Sequence, residues 1–134
     1  MGRTEVIVLD THIFIWFALN DPRLPEGFRE IFESSPQAVC VPSICVWEAL
    51  LLIERGRLKV GSENPVEALR DFISEPGFKE SPLTVEIAAL SRTLEFDHDD
   101  PADRFIAATA YSLGAKLASE DRHLRRLPWL KHLH

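Results

Sequence analysis

The sequence predicts an α/β fold whose strands form a largely parallel sheet. Short runs of β-branched and other apolar residues alternate with segments of helical periodicity, which is the pattern of βαβ units. At 134 residues the chain has the length of one domain, which buries roughly two thirds of its unfolded surface. No repeat and no low-complexity linker interrupts it, so we expect a single domain over residues 1–134.

The strand candidates are short apolar runs bounded by turn or helix signals. Each is only three or four residues long, which suits strands buried inside a parallel sheet. The runs are, in chain order, Val6 to Leu9, Ala38 to Val41, Phe78 to Ser81, Lys116 to Ala118 and Trp129 to His132.

Helix start and stop signals divide the segments between these strands. Ser43, Thr84 and Asp100 stand where N-cap residues belong, and Gly56 and Gly114 stand where a glycine ends a helix. The sequence therefore predicts helices over residues 11–19, 43–55, 65–74, 84–94 and 101–113, with a short final helix over 122–126.

The charge balance limits the kinds of partner that the chain can bind. Its 15 basic and 21 acidic side chains give a net charge of −6, so it lacks the broad positive field of strongly basic nucleic-acid-binding modules. Contact with a nucleic acid must then be local or mediated by a metal ion. Two dense basic segments, residues 55–59 and 122–126, are either solvated faces or a rim that guides RNA.

The cysteines and the chain start indicate a reducing compartment. Cys40 and Cys45 lie in apolar surroundings, and one pair in a chain of this size is interpreted as buried free thiols, not a disulfide framework or a zinc site. The opening MGRTEV has no apolar stretch of signal-peptide length, and no apolar run approaches the length of a membrane span. We expect a soluble, cytoplasmic protein.

Asp10 is the first residue that calls for a functional explanation. It ends the apolar run VIVL, and a second apolar run begins at Ile13. Burying an unpaired carboxylate is costly unless a cation or hydrogen-bond donors meet it. Glu48 poses the same problem within an apolar helix, and neither acid has an obvious basic partner nearby in the sequence.

The predicted fold can bring four acids together, because ligands of parallel sheets bind beyond the carboxyl ends of the strands. Asp10 ends the first strand, and Asp121 follows the 116–118 strand after two residues. Glu48 lies one to two turns into the helix after the second strand, and Asp103 lies in the first turn of the helix before the 116–118 strand. If those two strands are neighbours, the four carboxylates converge.

Converging carboxylates repel one another unless a cation neutralises them. Oxygen ligands without thiolate or obligatory histidine suit Mg²⁺ or Mn²⁺ better than zinc. Such an ion can activate a water for attack on a phosphodiester and can stabilise the charge on the leaving oxygen. The pattern therefore indicates metal-dependent phosphodiester hydrolysis.

Four segments in order, VLDTHIFIW, SICVWEALLLIERGRL, DPADRFIAATA and LASEDRHL, span most of the chain. In these segments the sequence resembles the PIN-domain ribonucleases, and among them the VapC-type toxins of toxin-antitoxin pairs. Leu52 and Ala102 depart from the pattern, since relatives often carry lysine and phenylalanine there.

The resemblance implies both a site and an architecture. It assigns Asp10, Glu48, Asp103 and Asp121 to the metal-binding and catalytic positions, with Thr11 as a supporting hydroxyl. It also implies a three-layer α/β/α fold with about five central strands, a homodimer, an RNA substrate and an antitoxin partner. Because the cleft is acidic, we expect that small antitoxin to insert a basic tail into it.

Simpler interpretations compete at several positions. Asp100 and Asp121 can be helix N-caps, and Asp103 can be a capping-box partner. His12 can be structural at a helix start. The aromatic residues of the first helix fit a core or dimer face better than a base-stacking platform. These residues are Phe14, Trp16 and Phe17.

Two other functional classes fit parts of the pattern. A catalytically silent binding module with this fold would be expected to have lost at least one of the four acids, and the chain keeps them all. A phosphatase of the haloacid-dehalogenase type would use Asp10 as nucleophile, but it needs a second aspartate two residues later, where this chain has His12.

Overall fold

Five parallel strands form the central sheet, in the order β3-β2-β1-β4-β5. The structure is a computed structural model that describes residues 5–61, 63–74, 77–97 and 99–134. Every strand pairing in these ranges is parallel, which confirms the predicted sheet. The strands are β1 (Ile7–Leu9), β2 (Val39–Pro42), β3 (Lys79–Ser81), β4 (Lys116–Ala118) and β5 (Lys131–His132).

The helices lie between these strands, as the alternating pattern predicts. A short 3₁₀ turn, Pro36–Ala38, leads into β2. The α-helices within the described ranges are α1 (Thr11–Ala18), α2 (Glu26–Ser34), α3 (Ser43–Glu54), α4 (Pro65–Ser74), α5 (Val85–Thr93), α6 (Pro101–Leu113) and α7 (Arg122–Arg125).

Most of the predicted helix ends are confirmed by their local geometry. The Thr84 hydroxyl accepts a hydrogen bond from the Ile87 amide at 3.2 Å, and Gly114 ends α6 in the left-handed conformation, with φ +61°. The assignment of Ser43 as an N-cap is wrong by one position. Ser43 is already helical, and Pro42, which precedes it, caps α3 without a side-chain hydrogen bond.

Helix α2 is absent from the sequence-based prediction. Its N-cap residue, Pro25, makes no side-chain capping bond, so the usual start signal is missing. The helix is held instead by Phe28 and Phe32, which are buried. The Phe32 ring lies 5.2 Å from that of Phe17 on α1, and this tertiary contact could not be inferred from the local sequence.

The strand order puts helices on both faces of the sheet. The chain moves outward from β1 to β2 to β3 and then returns to place β4 on the other side of β1. Right-handed crossovers in these two directions leave their helices on opposite faces, which gives the predicted three-layer α/β/α architecture. The direction reverses between β1 and β4, and such a switch point is where parallel sheets open a binding crevice.

Arg104 fixes the start of α6 relative to α5. Its guanidinium is largely buried and donates to the Ser91 carbonyl oxygen at 2.8 Å. It also lies 4.9 Å from the centre of the Phe96 ring and 3.7 Å from an Asp99 carboxylate oxygen. These contacts tie the turn before α6 to α5, and they hold the first turn of α6, which carries Asp103, in place.

The structure also bears on the predictions made for the cysteines, for membrane spans and for the N-terminus. Cys40 and Cys45 are free and buried, as predicted. Within the described part of the chain, no helix is both long and apolar enough to cross a bilayer. The expectation that the N-terminus carries no signal peptide falls partly on residues 1–4, which lie outside the described ranges.

Candidate active site

Asp10 lies at the switch point of the sheet, directly after β1. Its amide donates to the Ala118 carbonyl oxygen of β4 at 3.2 Å, so the residue sits between the two strands. One carboxylate oxygen accepts from the Ile13 amide at 2.9 Å, and the other accepts from the Ser119 hydroxyl. Asp10 is therefore the N-cap of α1, which begins at Thr11, within the predicted range of residues 11–19.

These donors do not fully offset the burial of Asp10. Burial raises the pKa of its carboxyl to about 6, although the hydrogen bonds from Ser119 and Ile13 and the nearby His12 lower it. The negative charge of Asp121 adds to the upward shift. Ionisation of Asp10 is therefore unfavourable in the folded protein, and a bound cation would offset this by stabilising the charged form.

Ser119 connects Asp10 to Asp121. Its hydroxyl donates to the Asp10 carboxylate and accepts from the Asp121 amide at 3.0 Å. Asp121 in turn caps α7, with one carboxylate oxygen accepting from the amides of His123 at 2.8 Å and Leu124 at 3.1 Å. The predicted capping role of Asp121 is confirmed, and these bonds use only Oδ1 of its two oxygens.

Thr11 holds Glu48 close to the same end of the sheet. The Thr11 hydroxyl donates to Oε1 of Glu48 across 37 residues of sequence. Thr11 is buried directly after Asp10, and Glu48 is half-buried on α3. This hydrogen bond helps to orient the carboxylate of Glu48.

Asp103 is the fourth predicted site acid, and the other three lie near enough to affect its ionisation. Its backbone amide donates to the Asp100 carboxylate at 3.1 Å, which makes Asp100 the N-cap of α6. Burial raises the pKa of the Asp103 carboxyl to about 7, and neighbouring negative charges add to the shift. In decreasing order, these come from Asp100, Asp121, Asp10 and Glu48.

Cys45 closes the inner side of this cluster. Its thiol is fully buried and donates to the Leu9 carbonyl oxygen at 3.5 Å. Burial raises the pKa of the thiol well above its ordinary value, and the charges of Asp10, Glu48 and Asp103 add to that effect. A thiol that stays protonated is a poor metal ligand. The donors that remain for a metal ion in this cluster are carboxylate oxygens.

A cleft of about 160 Å³ opens beside Asp10 and Asp121, and it is also lined by His12, Trp16 and Glu120. Glu48 and Asp103 do not line this cleft. A larger cleft, of about 390 Å³, contains none of the four acids and carries no site assignment. Its walls include Phe96, Arg126 and Trp129.

The donor chemistry of the cluster fits a hard divalent cation. Four carboxylates with mutually unfavourable charges, two of them with raised pKa values, suit Mg²⁺ or Mn²⁺. In the described residues, no three acidic, histidine or cysteine side chains are grouped as a ready-made metal cage. The assignment of Asp10, Glu48, Asp103 and Asp121 as metal ligands remains a prediction.

Ser119 and Glu120 are the members of the site that sequence reasoning missed. Ser119 lies 109 residues from Asp10, so no local pattern indicates their hydrogen bond. A signal was available nonetheless. Ser119 is the first polar residue after β4. Ala118, which precedes it, pairs with Leu9 of β1, so Ser119 and Asp10 follow paired residues at the ends of two neighbouring strands.

Comparisons with known proteins agree with this fold. Residues 7–130 match the PIN domain family. One relative, Ribonuclease VapC22 of Mycobacterium tuberculosis, is 29% identical over 122 residues, which is 89% of each chain. The fold also resembles DNA-bound VapBC from Salmonella typhimurium, with a TM-score of 0.71, 23% identity and coverage of 96% of this chain and 97% of that one.

A second solved structure, VapBC2 from Rickettsia felis bound to a DNA fragment from its promoter, gives a TM-score of 0.69 at 16% identity. It covers 96% of this chain and 97% of the other. The two structures support the fold, while the family match extends over almost the full sequence. The chain therefore belongs to the PIN domain family.

Proposed function

We propose that this protein is a ribonuclease that hydrolyses RNA phosphodiester bonds with Mg²⁺ or Mn²⁺, and that it is the toxin of a toxin-antitoxin pair. The observation that carries the proposal is the shared cleft of Asp10 and Asp121 at the sheet's switch point, together with the charges of Asp10, Asp121 and Glu48 that act on Asp103. The similarity to a ribonuclease over 89% of both chains supports the same reaction. We further propose that the protein acts in the cytoplasm as a homodimer.

The four acids would hold the metal ion, and the groups around them would keep the acids in place. Ser119 orients Asp10 and Thr11 orients Glu48 by donating hydrogen bonds, while the α7 cap fixes Asp121. When bound, the metal ion would activate a water and stabilise negative charge on the leaving oxygen. Positive charge from the ion would also allow a chain of net charge −6 to approach RNA.

Cleavage of total cellular RNA by the purified protein tests the proposal directly. We expect cleavage when Mg²⁺ or Mn²⁺ is added, loss of cleavage with EDTA, and no hydrolysis of a small aryl phosphate ester. The ester separates a nuclease from a phosphatase that uses Asp10 as nucleophile. Intact RNA with both metals at every concentration tested, or cleavage that EDTA does not affect, would contradict the proposal.

The proposed partner is a small antitoxin whose basic tail enters the acidic cleft. Exposed apolar side chains near the site offer a surface for the rest of such a partner. Trp47, beside Glu48 on α3, is 55% exposed, and Leu19 at the end of α1 is 36% exposed. Helices α1 and α3 pack against each other.

Copurification with the product of the adjacent gene should yield an inactive complex, because an inserted arginine or lysine displaces or distorts the metal. Replacing the basic residues of the partner's tail with alanine should restore RNA cleavage without necessarily abolishing binding. RNA cleavage by the complex and pull-down of the complex are the two measurements. Full inhibition by the tail variant would show that the partner blocks substrate access elsewhere.

A further inference from the structure

The cleft beside Asp10 and Asp121 has one aromatic wall, made by His12 and Trp16 on α1. Their ring centres lie 5.9 Å apart, with planes tilted by 56°. His12 is exposed, whereas Trp16 is half-buried and packs in part against the core. The two residues are four positions apart on one helix, so their side chains project from the same face.

Trp16 is held in position by two neighbouring residues of the turn after α1. The Arg23 guanidinium carbon lies 5.3 Å from the centre of the Trp16 ring. Arg23 is in turn oriented by Asp21, to which it donates two side-chain hydrogen bonds, at 3.1 and 2.8 Å. The Asp21 amide also donates to the Trp16 carbonyl oxygen at 2.8 Å. The indole is therefore a fixed surface at the edge of the acidic cleft.

The charge of this cleft makes a neutral ligand group preferable at its aromatic wall. Asp10, Glu120 and Asp121 line the same space, and their charges disfavour an RNA phosphate wherever no metal ion is present. A nucleobase carries no charge and stacks on aromatic rings with little dependence on its sequence. The rings of His12 and Trp16 thus complement the part of RNA that the acids do not repel.

We propose that His12 and Trp16 form a nucleobase-binding subsite, which holds a base of the single-stranded RNA adjoining the bond to be cut. The inference rests on the proposed ribonuclease function, because the neighbouring acids mark where the cut would occur. Arg23 is a positioning residue, since its hydrogen bonds go to Asp21 and its guanidinium supports the indole. Stacking there contributes to RNA affinity and places the backbone relative to the acids.

Base stacking can be measured without cleavage, in EDTA, by fluorescence of a variant in which Trp16 is the only tryptophan. Trp47→Phe and Trp129→Phe together give that variant. We expect a ten-nucleotide single-stranded oligouridine or oligoadenosine with uncharged methylphosphonate linkages to quench its fluorescence, and an abasic strand of equal length with the same linkages to leave it unchanged. Equal responses to strands with and without bases would overturn the subsite, whether or not the protein cleaves RNA.

Kinetics of RNA cleavage give a second, separate readout. Loss of a stacking ring should weaken binding by about 5- to 100-fold, so Trp16→Leu and His12→Ala should raise KM with little change in kcat. Trp16→Phe and His12→Phe keep a ring and should restore most of the affinity. Tyr111→Leu is the matched control, because its ring is exposed but does not line this cleft.

The outcomes distinguish the subsite from the proposed function. Unchanged KM in both Trp16→Leu and His12→Ala, with an active wild type, would overturn the subsite while the ribonuclease function stands. An inactive wild type would overturn the function, and the quenching measurement would then decide the subsite alone. Melting temperatures of all variants show whether a raised KM reflects loss of folded protein, and rescue by Trp16→Phe separates stacking from packing.

Discussion

Asp10→Asn is expected to abolish metal-dependent RNA cleavage while leaving the fold intact. Removing the charge of a direct metal ligand should cost at least the roughly 10- to 100-fold that loss of a supporting partner of a ligand typically costs. The fold should survive because asparagine caps helices as well as aspartate does. Its side-chain oxygen can keep the bond from the Ile13 amide that starts α1.

Without metal, the variant should be at least as stable as the wild type. A carboxyl whose pKa is raised from 3.8 to about 6 loses about 3 kcal/mol when it is ionised in the folded state. The amide does not carry this charge, although it also gives up the charge-assisted hydrogen bond from Ser119. Urea unfolding in EDTA measures the balance of these two effects.

Three measurements on Asp10→Asn check the assignment together. RNA cleavage should be lost, and Mg²⁺ or Mn²⁺ should raise the melting temperature of the wild type more than that of the variant, because only a ligand of the native state stabilises it. Glu30→Gln removes one charge at an exposed residue of α2 that does not line the cleft and should remain active. Cleavage by Asp10→Asn close to the wild-type level would exclude Asp10 as a metal ligand.

Local signals account for most of what the sequence predicted correctly. Helix α6 illustrates this, since Asp100, Pro101 and Gly114 mark its ends by chemistry that acts within one turn. Asp10 and Asp121 could also be placed at one edge of the sheet without a structure, because each follows the end of a strand. The ends of parallel strands meet at one edge of the sheet, and local position was therefore enough.

The features that escaped prediction depend on contacts between distant segments. Helix α2 lacks a side-chain cap, and Phe28 and Phe32 acquire their role only when they meet rings from other elements. The apolar residues Phe28, Ile31 and Phe32 of α2 nevertheless have helical spacing, which is a usable signal for a helix. The bonds from Ser119 to Asp10 and from Thr11 to Glu48 join residues 109 and 37 positions apart, beyond the reach of a local pattern.

The acid cluster should also make metal-free stability depend on pH in an unusual direction. Asp10 and Asp103 have folded-state pKa values of about 6 and about 7, against 3.8 for the ordinary carboxyl. Between pH 4 and 7 the native state therefore binds more protons than the unfolded state. Stability then rises as the pH falls, so in EDTA we expect the free energy of unfolding to increase from pH 8 to pH 5.

Asp10 alone should contribute about 1–2 kcal/mol to that increase. The rest of the free energy that corresponds to its full pKa shift appears only below pH 5. Asp103 acts in the same direction. The double variant Asp10→Asn and Asp103→Asn should lose most of the slope when unfolding by urea is measured at several pH values. Asp21→Asn is the matched control, because the pKa of Asp21 is lowered to about 2 by Arg23, which places its effect below this range.

Added Mg²⁺ should reverse the direction of the pH dependence. The ion binds deprotonated carboxylates and competes with protons for them, so the stabilisation it provides should grow from pH 5 to pH 8. The same two acids that destabilise the metal-free protein at neutral pH would then be responsible for its stabilisation by metal. An increase in melting temperature with Mg²⁺ that is equal at pH 5 and pH 8, or that persists in the double variant, would show that the ion binds elsewhere.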